Sequence, residues 1–187
     1  MMNRLISYWV YGGFLSGIVL LLLTPALAKA WPVLAILTFL HLPIYMFHQY
    51  EEHDNGRFRL FLNRTVGRGK DVLSPTAVFV INIFGVWGVI LLSLYLALTV
   101  NPGFGLIAVY LALVNAVVHI AHAVIFRGYN PGLGTAIVLF LPLGICTLAR
   151  IQAAGYGTPF MHAICLAVAI GIHAAIIAHV VPKLRAA

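Results

Sequence analysis

Residues 75–126 read PTAVFVINIFGVWGVILLSLYLALTVNPGFGLIAVYLALVNAVVHIAHAVIF, with no Lys, Arg, Asp or Glu anywhere in the run. A bilayer-spanning helix needs about 20 mostly apolar residues. Asn101-Pro102-Gly103 breaks the run near its middle, because Pro and Gly end helices. The two halves, Pro75–Thr99 and Phe104–Phe126, are each long enough to span. The same ruler, moved outward, finds Leu5–Leu27, Trp31–Tyr50, Leu133–Ile151 and Pro159–Val181. Further breaks lie at Asn130-Pro131-Gly132 and at Gly155-Tyr156-Gly157-Thr158-Pro159.

Composition agrees with this reading. Of 187 residues, 63% are apolar and 8% charged, and the mean hydropathy is +1.04. A soluble domain carries roughly 25% charged residues. The sequence therefore predicts an all-α polytopic membrane protein, a six-helix bundle forming one integral domain over residues 1–187. A secreted disulfide scaffold, a soluble nucleic-acid binder and a disordered chain are excluded. Cys146 and Cys165 sit in apolar runs and read as small packing residues. Arg4, an apolar run and Ala26-Leu27-Ala28 resemble the parts of a signal peptide. The apolar stretch is long for that role, and the segment reads as a retained helix.

The net charge of +7 has its place in the loops. With six spans both termini share one side, which then holds Arg4, Arg57, Arg59, Arg64, Arg68, Lys70, Arg127, Lys183 and Arg185. Lys29 and Arg150 fall on the other. Positive residues stay in the cytoplasm, which places both termini and the long connection there. That connection, Asp54–Asp71, reads either as a short amphipathic piece in the headgroup layer, with Phe58, Leu60, Phe61 and Leu62 among Arg57, Arg59 and Arg64, or as a solvated basic loop.

Ionisable residues inside a membrane are costly and face an interior or a cavity. All four acidic residues, Glu51, Glu52, Asp54 and Asp71, fall in this one region of the chain. Seven of the eight histidines lie in the second, fourth and sixth spans, and His53 lies just beyond the second. On the second span, at about 100° per residue, His41, Tyr45, His48 and Glu52 share one face, and Glu51 lies roughly 60° to the other side of His48. The fourth span carries Asn115, His119 and His122 on one face. His119 and His122 sit about 10 and 6 Å from its cytoplasmic end at 1.5 Å per residue. His173 lies at a similar depth in the sixth span, with His179 nearer the surface; Asn82 of the third span matches that level. His41 and His162 lie away from it and read as structural.

Imidazole and carboxylate together suit iron, zinc or manganese. The candidate metal ligands are His48, Glu51, Glu52, His119, His122, His173 and His179, enough for one ion or two. Glu51 and Glu52 are also the candidate catalytic carboxylates. A competing use for the two glutamates is pairing with Arg57 or Arg59 at the interface. Asn115, Arg127 and Tyr129 border the expected mouth and are the candidate substrate-binding residues. Tyr129-Asn130-Pro131-Gly132 reads first as a turn.

His48-Gln49-Tyr50-Glu51-Glu52 at a span end, followed by Asn115-x-x-x-His119 and Arg127-Gly128-Tyr129-Asn130-Pro131-Gly132, resembles the HXXEE-domain family of small multi-span bacterial proteins. The resemblance implies that His48, Glu51 and Glu52 are the family's signature residues, and it implies no particular reaction. It also implies a bacterial inner-membrane location. The E-E-x-x-x-R motif of glutamate-type prenyl-protein endopeptidases is not met, since Arg57 follows one position late. H-E-x-x-H and the H-x-x-H-H boxes of membrane desaturases are absent.

The leading expectation is a metalloenzyme acting on a lipid or other apolar substrate near the cytoplasmic face. Iron, mononuclear or dinuclear, is favoured over zinc, and an oxidoreductase over a hydrolase. The chain shows no flavin or nicotinamide motif, so electrons would come from a separate donor. A metal or proton transporter using the same cluster is the alternative, and a haem protein ligated through His119 and His173 is the third. Nucleic acid is not expected as a partner.

Overall fold

The computed structural model describes residues 2–185; Met1, Ala186 and Ala187 lie outside it, as does the side chain of Arg185. Six helices are long and apolar enough to cross a membrane. We label the helices α1 (Met2–Leu27), α2 (Val33–His53), α3 (Arg57–Thr65), α4 (Pro75–Thr99), α5 (Pro102–Ile125), α6 (Leu133–Ala153) and α7 (Pro159–Arg185). No strand occurs among the described residues.

Burial sorts the spans. α2 is the most enclosed, and α1 and α7 turn most of their surface outward. The least apolar span is thus the central one, and the cost of polar groups in lipid explains why: a helix bearing His41, Tyr45, His48 and Glu52 has to hide them from hydrocarbon. All four are buried. α1 packs along α2 and α7 along α5. Gly17 lets α1 approach closely, since a Cβ there would lie 3.2 Å from Met46 and 3.3 Å from the Pro43 carbonyl.

The central core joins Leu42, Tyr45 and Met46 of α2 to Ile90 of α4, Leu111 and Ala112 of α5, and Phe140 of α6. Two helices widen locally. Ile81–Gly88 in α4 and Ala136–Phe140 in α6 form π-helical turns, a distortion frequent beside functional sites. The first carries Asn82 and Trp87; the second begins right after Thr135.

Part of the long connection, Arg57–Thr65, is helical. Asn55 and Gly56 both take left-handed backbone angles, φ +51° and +69°, and so turn the chain from α2 into α3. Leu62 is buried and Arg57 and Arg64 face outward. Arg57 pairs with Asp54 at 2.6 Å and Arg59 with Asp71 at 3.4 Å. Neither arginine pairs with Glu51 or Glu52, so the expected interfacial salt bridge is replaced by these two.

Candidate metal centre

Three residues converge. His48 and Glu52, one helical turn apart on α2, meet His119 of α5, and each offers a ligand atom within 4.8 Å of the other two. Glu52 Oε2 lies 3.5 Å from His48 Nε2, and Glu52 Oε1 lies 3.6 Å from His119 Nε2. Donors on metal bonds of about 2.0–2.1 Å sit roughly 3.0–3.4 Å apart in octahedral or tetrahedral shells. A small contraction would therefore seat an ion. His48 and His119 are 0% and 1% exposed and Glu52 is 6%.

The outer nitrogens decide what faces inward. Asn130 Nδ2 donates to the His119 carbonyl at 2.9 Å, which turns Asn130 Oδ1 toward His119 Nδ1 at 2.6 Å. An amide oxygen only accepts, so His119 carries its proton on Nδ1. Thr135 donates its hydroxyl to Glu51 Oε2 and accepts from His48 Nδ1 at 2.8 Å. His48 has the same tautomer. As neutral imidazoles both rings present an Nε2 lone pair to the Glu52 carboxylate, and His48 Nε2 has no hydrogen-bond partner. Outer-sphere hydrogen bonds of this kind orient and tune metal-binding imidazoles.

Glu51 has a different task from the one expected. Its Oε1 accepts from the Gly134 amide at 3.1 Å and from Tyr129, and its Oε2 accepts from the Thr135 amide at 2.7 Å and the Thr135 hydroxyl. Both oxygens are committed to the 129–135 loop, which corrects Glu51 as a ligand or base. It anchors the loop that holds the imidazoles. Gly132 completes the fit: its φ is +98°, and a Cβ there would lie 2.6 Å from His119 Cε1 and 2.9 Å from His48 Cε1.

A second chain of hydrogen bonds runs to His53, beside Glu52. The Trp87 indole donates to Gln49 Oε1 at 2.6 Å, and Gln49 Nε2 donates to Asn82 Oδ1 at 2.7 Å. Asn82 Nδ2 then donates to the Val78 carbonyl at 2.8 Å and to His53 Nε2 at 3.1 Å. Since an indole can only donate, each later orientation follows from it. His53 Nε2 lies 3.2 Å from Glu52 Oε2 but outside the three-ligand group.

The remaining candidates are not brought into the group. His122 lines the neighbouring cavity. His173 Nδ1 donates to the Ala169 carbonyl of its own helix at 2.8 Å, and His179 accepts from Lys183 at 2.9 Å. Asn115 also lines the cavity, whereas Arg127 and Tyr129 do not. Tyr129 instead binds Glu51. The sequence reading missed Asn130, Thr135, Gln49 and Trp87 as partners. The signal for the loop was its pair of glycines, Gly132 and Gly134, which permit close approach to His119, His48 and Glu51.

The cavity measures about 260 Å³ and runs beside Glu52 and His119 between α2, α3, α4, α5 and α7. Its walls are mostly aliphatic, among them Leu62, Val86, Leu111, Ile172 and Val180. The centre therefore borders an apolar chamber inside the bundle.

Partial burial and the Glu51 carboxylate push the Tyr129 phenol up from 10.0 to about 12. Because the folded value is the higher one, the Tyr129–Glu51 clasp is intact below pH 10 and is lost as pH rises through about 12. An ultraviolet titration of the wild-type protein minus Tyr129→Phe is expected to isolate one phenol ionising near pH 12; a difference curve centred at 10 would contradict the clasp.

The chain matches, over residues 39–147, the model of a family described as proteins of unknown function with an HXXEE motif. That match takes in more than half of the chain and every residue of the three-ligand group, together with Asn130 and Thr135, and the chain belongs to the HXXEE family. No curated protein and no solved structure matches it.

Proposed function

We propose that this HXXEE protein is a membrane metalloenzyme that holds one transition-metal ion on His48, Glu52 and His119 and acts on an apolar substrate drawn from the adjoining cavity. The observation that carries the reading is the convergence of two buried imidazoles, each anchored through its Nδ1, on one buried carboxylate. A cation resolves that arrangement. Among the described residues there is a single group of three such ligands, which favours one ion over two.

Two histidines and one carboxylate form the facial triad of non-haem iron oxygenases, and the same donors hold catalytic zinc in several hydrolases. Iron there would supply oxygen activation and zinc a polarised water. The zinc reading gives the role of general base to Glu51 or Glu52, and here Glu52 is the proposed ligand and Glu51 is held by the loop. An oxidoreductase fed by a separate electron donor is therefore favoured. His48, Glu52 and His119 bind and orient, the 129–135 loop fixes the rings, and the aliphatic walls exclude water. The positive residues orient the bundle with both termini and α3 on the cytoplasmic side of a bacterial inner membrane.

One observation favours transport as the second reading. The buried stripe on α2 extends upward to His41, 1% exposed, whose Nε2 has no partner. Such a row suits a proton path.

Elemental analysis with an absorption spectrum, on protein purified without a His tag, separates these. About one iron per chain without a Soret band is expected, and Thr135→Val is expected to weaken metal binding about 10–100-fold by freeing the outer nitrogen of His48. One zinc would turn the reading to a hydrolase. No stoichiometric metal after reconstitution would make the cluster a proton or packing network and overturn the enzyme reading.

A further inference from the structure

Polar atoms around the apolar cavity go unmet. Tyr45 Oη, Asn115 Oδ1 and His122 Nδ1 are buried and without hydrogen-bond partners, and all three residues line the cavity. Tyr45 is 1% exposed. Unmet polar groups are expensive anywhere and more so in lipid, where no bulk water stands by to satisfy them. Packing alone would be served by Phe at 45 and Leu at 115. The three residues also sit within a turn or so of the metal ligands: Tyr45 lies three positions before His48, and Asn115 and His122 flank His119 at spacings of four and three. A polar group bound by Tyr45 and Asn115 would hold the carbons next to it beside the centre.

We propose that the cavity binds a neutral single-chain amphiphile ending in a hydroxyl, a long-chain primary alcohol, with that hydroxyl seated between Tyr45 and Asn115. This deepens the proposed function by naming its substrate chemistry, and it rests on that reading for the cavity's role. A hydroxyl both donates and accepts: it donates to Asn115 Oδ1 and accepts from the Tyr45 phenol. A carboxylate brings a second anion near Glu52. No Lys or Arg among the lining residues would balance it. An ammonium leaves the Tyr45 proton without an acceptor and sets a cation beside the metal. The volume, about 260 Å³, falls just below the roughly 300–1,000 Å³ of ordinary small-molecule sites. It suits one chain and not a two-chain lipid.

The test is photo-labelling in lipid nanodiscs with a twelve-carbon alcohol bearing a diazirine, on metal-stripped and metal-loaded protein. Dodecanol, dodecane, dodecanoate and dodecylamine compete at equal mole fractions in the bilayer, and labelled peptides are mapped by mass spectrometry. Label is expected on α5 and α7 segments containing cavity residues such as Ile172 and Ile176. Dodecanol is expected to displace it at least tenfold more effectively than the other three. Tyr45→Phe, which keeps the ring, and Asn115→Leu are each expected to bring dodecanol down to the level of dodecane, with melting temperature reporting that the variants fold. Equal competition by dodecane, a preference for the acid or the amine, or unchanged selectivity in both variants would overturn the proposal. A protein that binds no metal yet still selects the alcohol would refute the metalloenzyme reading and leave this one standing.

Discussion

Glu52→Gln is expected to abolish metal binding and, at the same time, to raise the melting temperature of the metal-free protein, while Glu51→Gln lowers that temperature and keeps a weakened metal site. Glu52 is buried between the Nε2 atoms of His48 and His119, at 3.5 and 3.6 Å, and these nitrogens have lone pairs where a donor is wanted. A glutamine amide supplies N–H groups and removes the buried charge. The relief is worth about 1 kcal/mol, or about 2–4 °C for a chain of this size. The charged ligand is gone, however, and two neutral imidazoles hold an ion poorly. At Glu51 the carboxylate accepts four hydrogen bonds from the 129–135 loop, and an amide accepts at only one of its two ends. The loop loosens and frees the outer nitrogen of His48, which is expected to weaken metal binding about 10–100-fold. Metal titration and thermal unfolding of both variants, with and without metal, check this. Equal metal loss in the two, or a lower apo melting temperature for Glu52→Gln, would refute the division of labour between the adjacent glutamates.

That division shows where sequence reading stops. The spans were legible because lipid admits so few solutions: a long apolar run between Pro and Gly breaks can only be a crossing helix. Helical phase also placed His48 and Glu52 on one face, but it left Glu51 a candidate ligand beside them. Depth along the fourth span put His119 at their level. What phase and depth do not contain is the rotation of one helix toward another. His173 shares the depth of His119, yet it bonds back to Ala169 of its own helix. His122 lies on the right helix and faces the cavity instead of the carboxylate.

The loop was half legible. Tyr129-Asn130-Pro131-Gly132 does make the turn its residues announce, but Asn130 is wholly buried, and a turn assignment gives its side chain nothing to do. Its contacts reach back to His119, eleven residues earlier in the chain, and Thr135 reaches Glu51 across 84 positions. No local rule links such positions. The π-helical turns of α4 and α6 were equally hidden, because a 3.6-residue period assumes an unbroken α-helix.

Gly132→Ala is expected to destroy the centre with a single methyl group. The backbone there has φ +98°, where an L side chain costs roughly 1–2 kcal/mol. The added Cβ would also lie 2.6 Å from His119 Cε1 and 2.9 Å from His48 Cε1, both far inside van der Waals contact. These rings cannot yield easily, since Phe140 packs on His48 and Phe58 on His119 with centroids 4.3 and 5.7 Å away. The loop must move out, and it takes Asn130 and Thr135 away from the two outer nitrogens together. Because each support alone is worth about 10–100-fold in affinity, metal binding is expected to fall by more than about 100-fold. Gly155→Ala is the control. It too has a left-handed backbone, φ +80°, with nothing within 4 Å of a new Cβ, so it carries the strain without the clash. It is expected to lose about 1–2 kcal/mol of stability and keep full metal stoichiometry. Were Gly132→Ala to bind metal as the control does, the close approach of the loop to the two imidazoles would not be what holds them, and their tautomers would no longer be fixed by Asn130 and Thr135.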